Sequence, residues 1–197
     1  MIGAVRAAWQ SHTLGSVAFY LTLAVWIGLE VRQAGRTREN ATRTDRHSRF
    51  AVAIGEILGW SIAINGPRVA PGLTWSGSAW VIVGLAVWWC GIALRGWSFQ
   101  TLGRYFTFVL MTSEDQPVIE TGPYRWVRHP SYLAIELCMI GMSLTFSNAL
   151  SLVGASVATL VGLIVRIRVE ETALRAALGE RYDDFCRSRR RLVPFVW

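Results

Sequence analysis

The chain has 197 residues, is 52% hydrophobic, contains ten tryptophans and carries a formal net charge of +7. Its apolar residues form longer blocks than a soluble domain of this size would show, and its positive residues are all arginine. The arginines lie beside the apolar blocks, as membrane topology favours, so the charge does not indicate nucleic-acid binding. The three cysteines are widely separated without a CxxC pair, and we predict no metal site.

Five apolar segments predict an all-α, polytopic membrane protein. They cover residues 14–31, 50–64, 78–94, 132–146 and 149–165. The first has about 18 residues, near the lower limit for crossing a bilayer. We interpret it as a retained helix, because no convincing cleavage site follows it. The second segment is predicted to end where Asn65-Gly66-Pro67 breaks the helix. Only Ser147-Asn148 joins the last two, which therefore form a helical hairpin.

The arginines predict an orientation. Six lie between positions 32 and 49, four between 95 and 128, and eight from Arg166 onward, all on one side of a five-span protein. Only Arg6 and Arg68 fall on the other side. Because basic residues favour the cytoplasmic side, we predict an outside N-terminus and a cytoplasmic C-terminus, in the cell (inner) membrane.

A polar, turn-rich segment at residues 121–134 leads into the fourth span. Gly122-Pro123 predicts a turn, and the residues before Pro130 are expected to be extended. Pro130 suits the first position of a helix. Several polar side chains then gather at a helix N-terminus, where free N–H groups and the helix dipole favour an anion. They are Tyr124, Arg128, His129 and Tyr132. A membrane-interface turn with ordinary anchors would show the same pattern.

A second polar group follows the fifth span. Arg166 and Glu170 are four residues apart, as are Glu171 and Arg175, so both pairs can form on a continuing helix. Gly179 can end that helix, and residues 180–189 predict a short helix with Tyr182 and Phe185 facing inward.

The predicted hairpin brings these two polar groups together. Charged groups at membrane depth are expensive and suggest a site. Glu170 and Glu171 can accept hydrogen bonds from ribose hydroxyls or an ammonium group, while His129 and Arg128 can hold a carboxylate. This set suits a zwitterionic nucleoside cofactor. No GxGxxG follows a strand, so a Rossmann nucleotide site is not expected.

These motifs resemble those of the isoprenylcysteine carboxyl methyltransferase family and of related phospholipid N-methyltransferases. The matching stretches are Gly122-Pro-Tyr, Arg128-His-Pro-Ser-Tyr132, Glu170-Glu171 and Leu178-Gly-Glu-Arg-Tyr182. The resemblance covers residues 102–197. Two features depart from it: Ala134 stands where the family commonly has glycine, and the N-terminal half is short beside eukaryotic members. Both leave the acceptor open.

The resemblance implies an integral membrane enzyme that uses S-adenosylmethionine. It places the cofactor in a cytoplasmic pocket formed by the last two helices, the preceding loop and the C-terminal helix. The implied cofactor-binding residues are Tyr124, Arg128, His129, Pro130, Tyr132, Glu170 and Glu171. We expect one domain over residues 1–197, with three spans in 1–97 and the catalytic half in 98–197.

The methyl acceptor is expected to be lipophilic, such as a prenylated or lipid substrate that enters sideways from the bilayer. A carboxylate acceptor needs little acid–base help, and Arg104 or Arg166 is a candidate for holding it. An amine acceptor would have to lose a proton, for which Glu136 or Glu56 is a candidate. Membrane lipids are the other expected partners, and nucleic acid is not expected.

Two alternatives remain open. Membrane sterol reductases look similar at the same two motifs but bind NADPH, and they would need basic contacts for its 2′-phosphate. Arginines between positions 36 and 49 could supply those contacts. A non-enzymatic membrane scaffold, whose arginines bind anionic lipid, is the other alternative.

Overall fold

The computed structural model describes residues 13–34, 42–45, 48–105, 110–112 and 117–192. Those residues form six α-helices and two short strands. In chain order they are α1 (Thr13–Ala34), β1 (Thr42–Asp45), α2 (Ser48–Val69), α3 (Ala79–Leu102), β2 (Leu110–Thr112), α4 (Pro130–Thr145), α5 (Ala149–Leu178) and α6 (Glu180–Ser188). The two strands pair antiparallel. The architecture is otherwise helical, with 3₁₀ turns at Pro71–Leu73, Gly103–Tyr105 and Gly122–Arg125.

Four of the described helices, α1, α2, α3 and α5, are long and apolar enough to cross a membrane. The protein is therefore an integral membrane protein. The helix at the fourth predicted span, α4, has only 16 residues and is ~24 Å long, against the ~20 residues that a span usually needs. It nevertheless joins the two ends of the bundle. Arg95 of α3 donates to the Ser131 carbonyl at its start, and Asn148, just after its end, donates to the Ala70 carbonyl beyond α2.

The helices pack as two close pairs, α3 with α4 and α2 with α5. Glycines allow both approaches. A Cβ added to Gly141 would overlap the backbone nitrogen of Trp88, and one added to Gly162 would lie 2.5 Å from the carbonyl oxygen of Ala51. Small residues that let backbones approach are typical of helix contacts in membranes, where close packing replaces the hydrophobic effect.

The predicted helix break at Asn65-Gly66-Pro67 is wrong, because α2 continues through Pro67 to Val69. A proline inside a helix leaves the carbonyl four residues earlier without its usual donor. Here that carbonyl belongs to Ala63, and the Ser151 hydroxyl of α5 donates to it at 2.8 Å. The neighbouring helix thus replaces the missing hydrogen bond.

The predicted boundaries after the second span are confirmed at several positions. Pro130 is the first residue of α4. Gly179 ends α5 with a φ of +55°, a positive value that glycine adopts readily. The short helix α6 follows, with Tyr182 and Phe185 buried. The third span is longer than predicted and runs to Leu102.

Gly141→Ala is expected to destabilise the protein by about 1–3 kcal/mol, because the added methyl group must displace the backbone of α3. Gly96→Ala is the matched control, since nothing lies within 4 Å of its Cβ position. Replacing that helical glycine should stabilise the protein by about 0.5–1 kcal/mol. The thermal unfolding midpoints of both variants and the parent in detergent provide the measurement. Equal midpoints for the two variants would contradict the close packing of α3 and α4.

Candidate active site

A cavity of about 590 Å³ lies at the end of the bundle where α3 ends and α4 begins. All six helices and the segment before α4 contribute to its wall. The apolar side chains from α1 and α2 include Trp26, Val31, Phe50, Val52 and Ala53. The polar side chains around α4, α5 and α6 include Tyr124, Arg128, His129, Glu170 and Tyr182. The expected catalytic half, residues 98–197, therefore does not form the cavity alone, because helices of the N-terminal half also line it.

The predicted meeting of the two polar groups is confirmed. The Tyr132 hydroxyl donates to the Glu170 carboxylate, 38 positions further along the chain. His129 Nε2 lies 3.3 Å from the Glu171 carboxylate, 42 positions away. The short connection between α4 and α5 places the start of one helix beside the end of the other, which accounts for both contacts.

Glu171 is almost fully enclosed, with 1% of its surface exposed. Its carboxylate lies 3.1 Å from Arg128 Nη1, 3.3 Å from His129 Nε2 and 2.9 Å from Arg191 Nη2. A buried carboxylate needs such partners, since an uncompensated charge would be strongly destabilising. Glu171 is not among the described residues that line the cavity. Its position supports Arg128 and His129 rather than a direct contact with a ligand.

Glu170 points the other way and lines the cavity. Besides accepting from Tyr132, its carboxylate lies 3.6 Å from Arg166 Nε. Arg166 also donates to the Tyr132 hydroxyl oxygen at 3.1 Å and to Ser48 Oγ at 2.6 Å. Arg166 therefore joins α2, α4 and α5 at the cavity wall.

Arg95 is a cavity residue that the sequence analysis missed. It is buried in α3, and its Nε and Nη2 donate to the two carboxylate oxygens of Glu30 at 2.8 and 3.0 Å. Its Nη1 donates to the carbonyl and the hydroxyl of Ser131. Arg95, Glu30 and Glu56 all line the cavity. The sequence did contain a signal for this pair, because Arg95 and Glu30 are opposite charges at the ends of apolar runs. The predicted third span, however, ends just before Arg95 and leaves this residue in a loop.

The remaining predicted site residues differ in their position relative to the cavity. Pro130 begins α4 and is buried. Glu136 is not among the described cavity-lining residues, and its carboxyl faces Ser156 of α5. That position does not suit a catalytic group. Arg104 lies in the turn Gly103–Tyr105, but its side chain falls outside the described part of the structure.

Three donors in the cavity wall lack a hydrogen-bond partner among the described residues: the Trp26 indole N–H, the Tyr182 hydroxyl and Arg128 Nε. Buried donors normally have partners, and an unsatisfied one costs about 1–3 kcal/mol. Burial raises the pKa of the Tyr182 phenol far above its ordinary value, so the hydroxyl remains a neutral donor. Burial raises the pKa of Tyr124 likewise. The Tyr182 hydroxyl and Arg128 Nε, both in the polar wall, fit a polar ligand that offers acceptor oxygens.

Residues 82–176 match the model of the isoprenylcysteine carboxyl methyltransferase (ICMT) family. Over these residues the chain is similar to that family. The predicted resemblance is thereby confirmed. The match includes α4 and most of α3 and α5. It therefore includes Arg95 of α3, Glu170 of α5 and His129, which directly precedes α4. Helix α6 and the C-terminal residues lie beyond it.

Known proteins match about the same half of the chain. The uncharacterised protein YpbQ of Bacillus subtilis (strain 168) is 30% identical over 96 residues, which are 45% of this chain and 57% of that protein. The protein-S-isoprenylcysteine O-methyltransferase of Tribolium castaneum is 29% identical over 116 residues, 58% of this chain and 41% of that protein. The chain thus spans about half the length of these curated relatives.

A solved structure is similar in fold. It is described as the eukaryotic intramembrane Ras methyltransferase ICMT without a monobody. The TM-score is 0.61 at 27% sequence identity, and the match covers 77% of this chain and 55% of that one. The likeness extends further along this chain than the family match does, and it supports the membrane fold of the ICMT family for these helices.

Tyr182→Phe removes a buried, unpartnered hydroxyl and keeps the aromatic ring. We expect it to stabilise the ligand-free protein by about 1 kcal/mol, because no unsatisfied hydroxyl remains buried. We also expect it to weaken S-adenosylmethionine binding by about three- to tenfold, because the protein no longer offers this donor to the ligand. Thermal unfolding midpoints and calorimetric affinities measure the two effects. Tyr20→Phe, at an exposed position of α1, should change neither. A Tyr182→Phe protein that is less stable than the parent would refute the unsatisfied hydroxyl.

Proposed function

We propose that the protein is an integral membrane methyltransferase that transfers a methyl group from S-adenosylmethionine to the carboxylate of a lipophilic acceptor. One observation carries the proposal: a single cavity combines the polar Arg128–Tyr132 motif and Glu170 with apolar side chains from α1 and α2. The relatives named protein-S-isoprenylcysteine O-methyltransferase support a carboxylate acceptor on a prenylated substrate. The family match supports this function over a sterol reductase or a lipid-binding scaffold.

The polar wall fits the cofactor. S-adenosylmethionine supplies, when bound, a methyl group already activated on a sulfonium. Arg128 Nε and the Tyr182 hydroxyl are buried donors without partners among the described residues, and they suit carboxylate or ribose oxygens. Glu170 is an acceptor in the same wall and suits an ammonium group or ribose hydroxyls. Glu171 holds Arg128 and His129 in place from behind.

A carboxylate acceptor is already nucleophilic, so the chain needs no general base for it. The task of the protein is to align the reacting groups and exclude water. The guanidinium groups of Arg95 and Arg166 are buried in the cavity wall, where they already pair with Glu30 and Glu170, so an acceptor carboxylate would join an existing ion pair. Trp26 and Phe50 lie in the same wall and suit the hydrocarbon part of an acceptor that arrives from the bilayer.

We further infer that five helices cross the membrane, with the cavity facing the cytoplasm and the chain in the cell (inner) membrane. The contacts of α4 with Arg95 at one end and of Asn148 with Ala70 at the other support a fifth crossing. Most of the arginines lie on one side of the five predicted spans, the side where the cavity opens, and this concentration supports the orientation.

Cysteine labelling tests this topology. With Cys90, Cys138 and Cys186 replaced by alanine, single cysteines are introduced at Ser76 and Ser188, both of which are exposed. In intact cells, a membrane-impermeant maleimide is expected to label Ser76→Cys and not Ser188→Cys until the membrane is opened. Labelling of both positions from the same side would refute the five-span arrangement.

Binding and transfer assays test the proposed chemistry. The purified protein is expected to bind S-adenosylmethionine and its demethylated product, and to bind NADPH poorly, in calorimetric titrations. With radiolabelled methyl donor and an N-acetylated S-prenylcysteine, the product should be a methyl ester, which mild base hydrolyses to volatile methanol. No ester on this substrate, together with base-stable methylation of an added amine lipid such as phosphatidylethanolamine, would favour an amine acceptor. Tight NADPH binding without a response to S-adenosylmethionine would favour the reductase.

Site variants link that binding to the cavity. His129→Ala and Glu170→Gln should each weaken S-adenosylmethionine binding by about tenfold or more, since each removes a charge-assisted contact worth about 1.5–3 kcal/mol. Arg168→Ala is the matched control, because Arg168 lies on α5 between Arg166 and Glu170 but is exposed. If both site variants are folded and bind like the parent, the cofactor does not occupy this wall.

A further inference from the structure

The end of the described chain, residues 189–192, lies against the loop that carries the polar wall. Val127 and Arg190 form a parallel bridge. The Arg128 N–H donates to the Arg190 carbonyl at 2.8 Å, and the His129 N–H donates to the Arg191 carbonyl at 2.9 Å. The residues before Pro130 avoid the helical conformation, so their N–H groups need partners outside α4. We call residues 189–192 the C-terminal segment, and it supplies those partners.

The same segment brings the Arg191 side chain to Glu171. Arg191 Nε and Nη2 donate to Oε2 of the carboxylate at 3.1 and 2.9 Å. The other oxygen, Oε1, lies 3.1 Å from Arg128 Nη1 and 3.3 Å from His129 Nε2. One carboxylate oxygen thus contacts the C-terminal segment, and the other contacts the polar wall. Because Arg191 holds one of them, the other remains directed at the two residues of the polar wall.

We propose that Arg191 is a positioning residue for the cofactor site. Through Glu171 it fixes the side chains of Arg128 and His129, and through its carbonyl it fixes the His129 backbone. It lies outside the family match at residues 82–176. The inference rests on the proposed function, because it names S-adenosylmethionine as the ligand whose binding Arg191 supports. The acceptor, which meets the apolar wall, depends on Arg191 far less.

Calorimetry on the full chain tests the binding effect. Arg191→Ala is expected to weaken S-adenosylmethionine binding by about tenfold or more, as the loss of a charge-assisted contact implies. Arg191→Lys should recover part of the affinity, because it keeps the charge but loses the two-pronged donor geometry. Arg187→Ala is the matched control. Arg187 pairs with Asp184, both side chains are largely exposed, and its removal should leave the affinity unchanged.

A double variant tests whether Arg191 acts through Glu171. Contacting residues are not additive, so Arg191→Ala introduced into a Glu171→Gln protein should change the affinity by no more than about twofold. In transfer assays, Arg191→Ala should raise the KM for S-adenosylmethionine and leave the KM for the acceptor close to that of the parent. A purely structural loss would lower the active fraction and would not separate the two constants.

Hydrogen exchange of the ligand-free protein gives a readout that needs no cofactor. Arg191→Ala should speed exchange of the Arg128 and His129 amides, while amides of α2 and α5 exchange as in the parent. Unchanged affinity together with unchanged exchange at Arg128 and His129 would overturn the inference. Faster exchange throughout α2 and α5 would also overturn it, since the effect would then be general unfolding. A parent protein that binds no S-adenosylmethionine refutes the proposed function and the cofactor role of Arg191, and the exchange result still decides separately whether Arg191 holds the loop.

Discussion

Every polar group in the interior of this bundle has to find its partner within the protein, because hydrocarbon offers none. That constraint explains why several polar groups are bonded to helices far away in the sequence. The Ala63 carbonyl, freed by Pro67, accepts from Ser151 of another helix. Asn148 caps α5 by accepting from the Ser151 N–H and also donates to the Ala70 carbonyl. Charged side chains obey the same rule, and their pairs connect helices that are far apart in sequence, as Arg95 and Glu30 do.

In the candidate site this satisfaction is incomplete at donors that belong to a cavity wall. Glu171 is over-supplied with cations, whereas the neighbouring Tyr182 hydroxyl and Arg128 Nε have no acceptor among the described residues. Rigid support behind the wall and unmet donors within it are what a pre-organised ligand site requires, since the ordering cost is met before binding. Under the proposed function, the apolar face of the same cavity would let a water-soluble cofactor and a lipid-borne acceptor meet in one site.

The sequence predicted most of this arrangement, for identifiable reasons. Periodic apolar runs located the helices, and Pro130 and Gly179 marked their ends. The short Ser147-Asn148 connection implied that His129 and Glu170 would share a pocket, and both line the cavity. It missed what depends on packing between distant segments. Whether a helix survives Pro67 depends on Ser151, and whether a glutamate faces a cavity or its neighbours depends on side-chain direction, which separates Glu170 from Glu171. Arg95 looked like a loop residue because nothing near it in sequence indicated Glu30.

The short length of α4 affects the depth of the cavity. It has 16 residues beside the 24 of its partner α3, a difference of about 12 Å in helix length. Nearly all of α4 is buried by its neighbours, so lipid never meets its ends and the surrounding bilayer need not thin to match it. The shortfall instead recesses the floor of the cavity below the rim set by the longer helices. Under the proposed function, an acceptor anchored by its hydrocarbon chain would present its reacting carboxylate there without being pulled out of the leaflet.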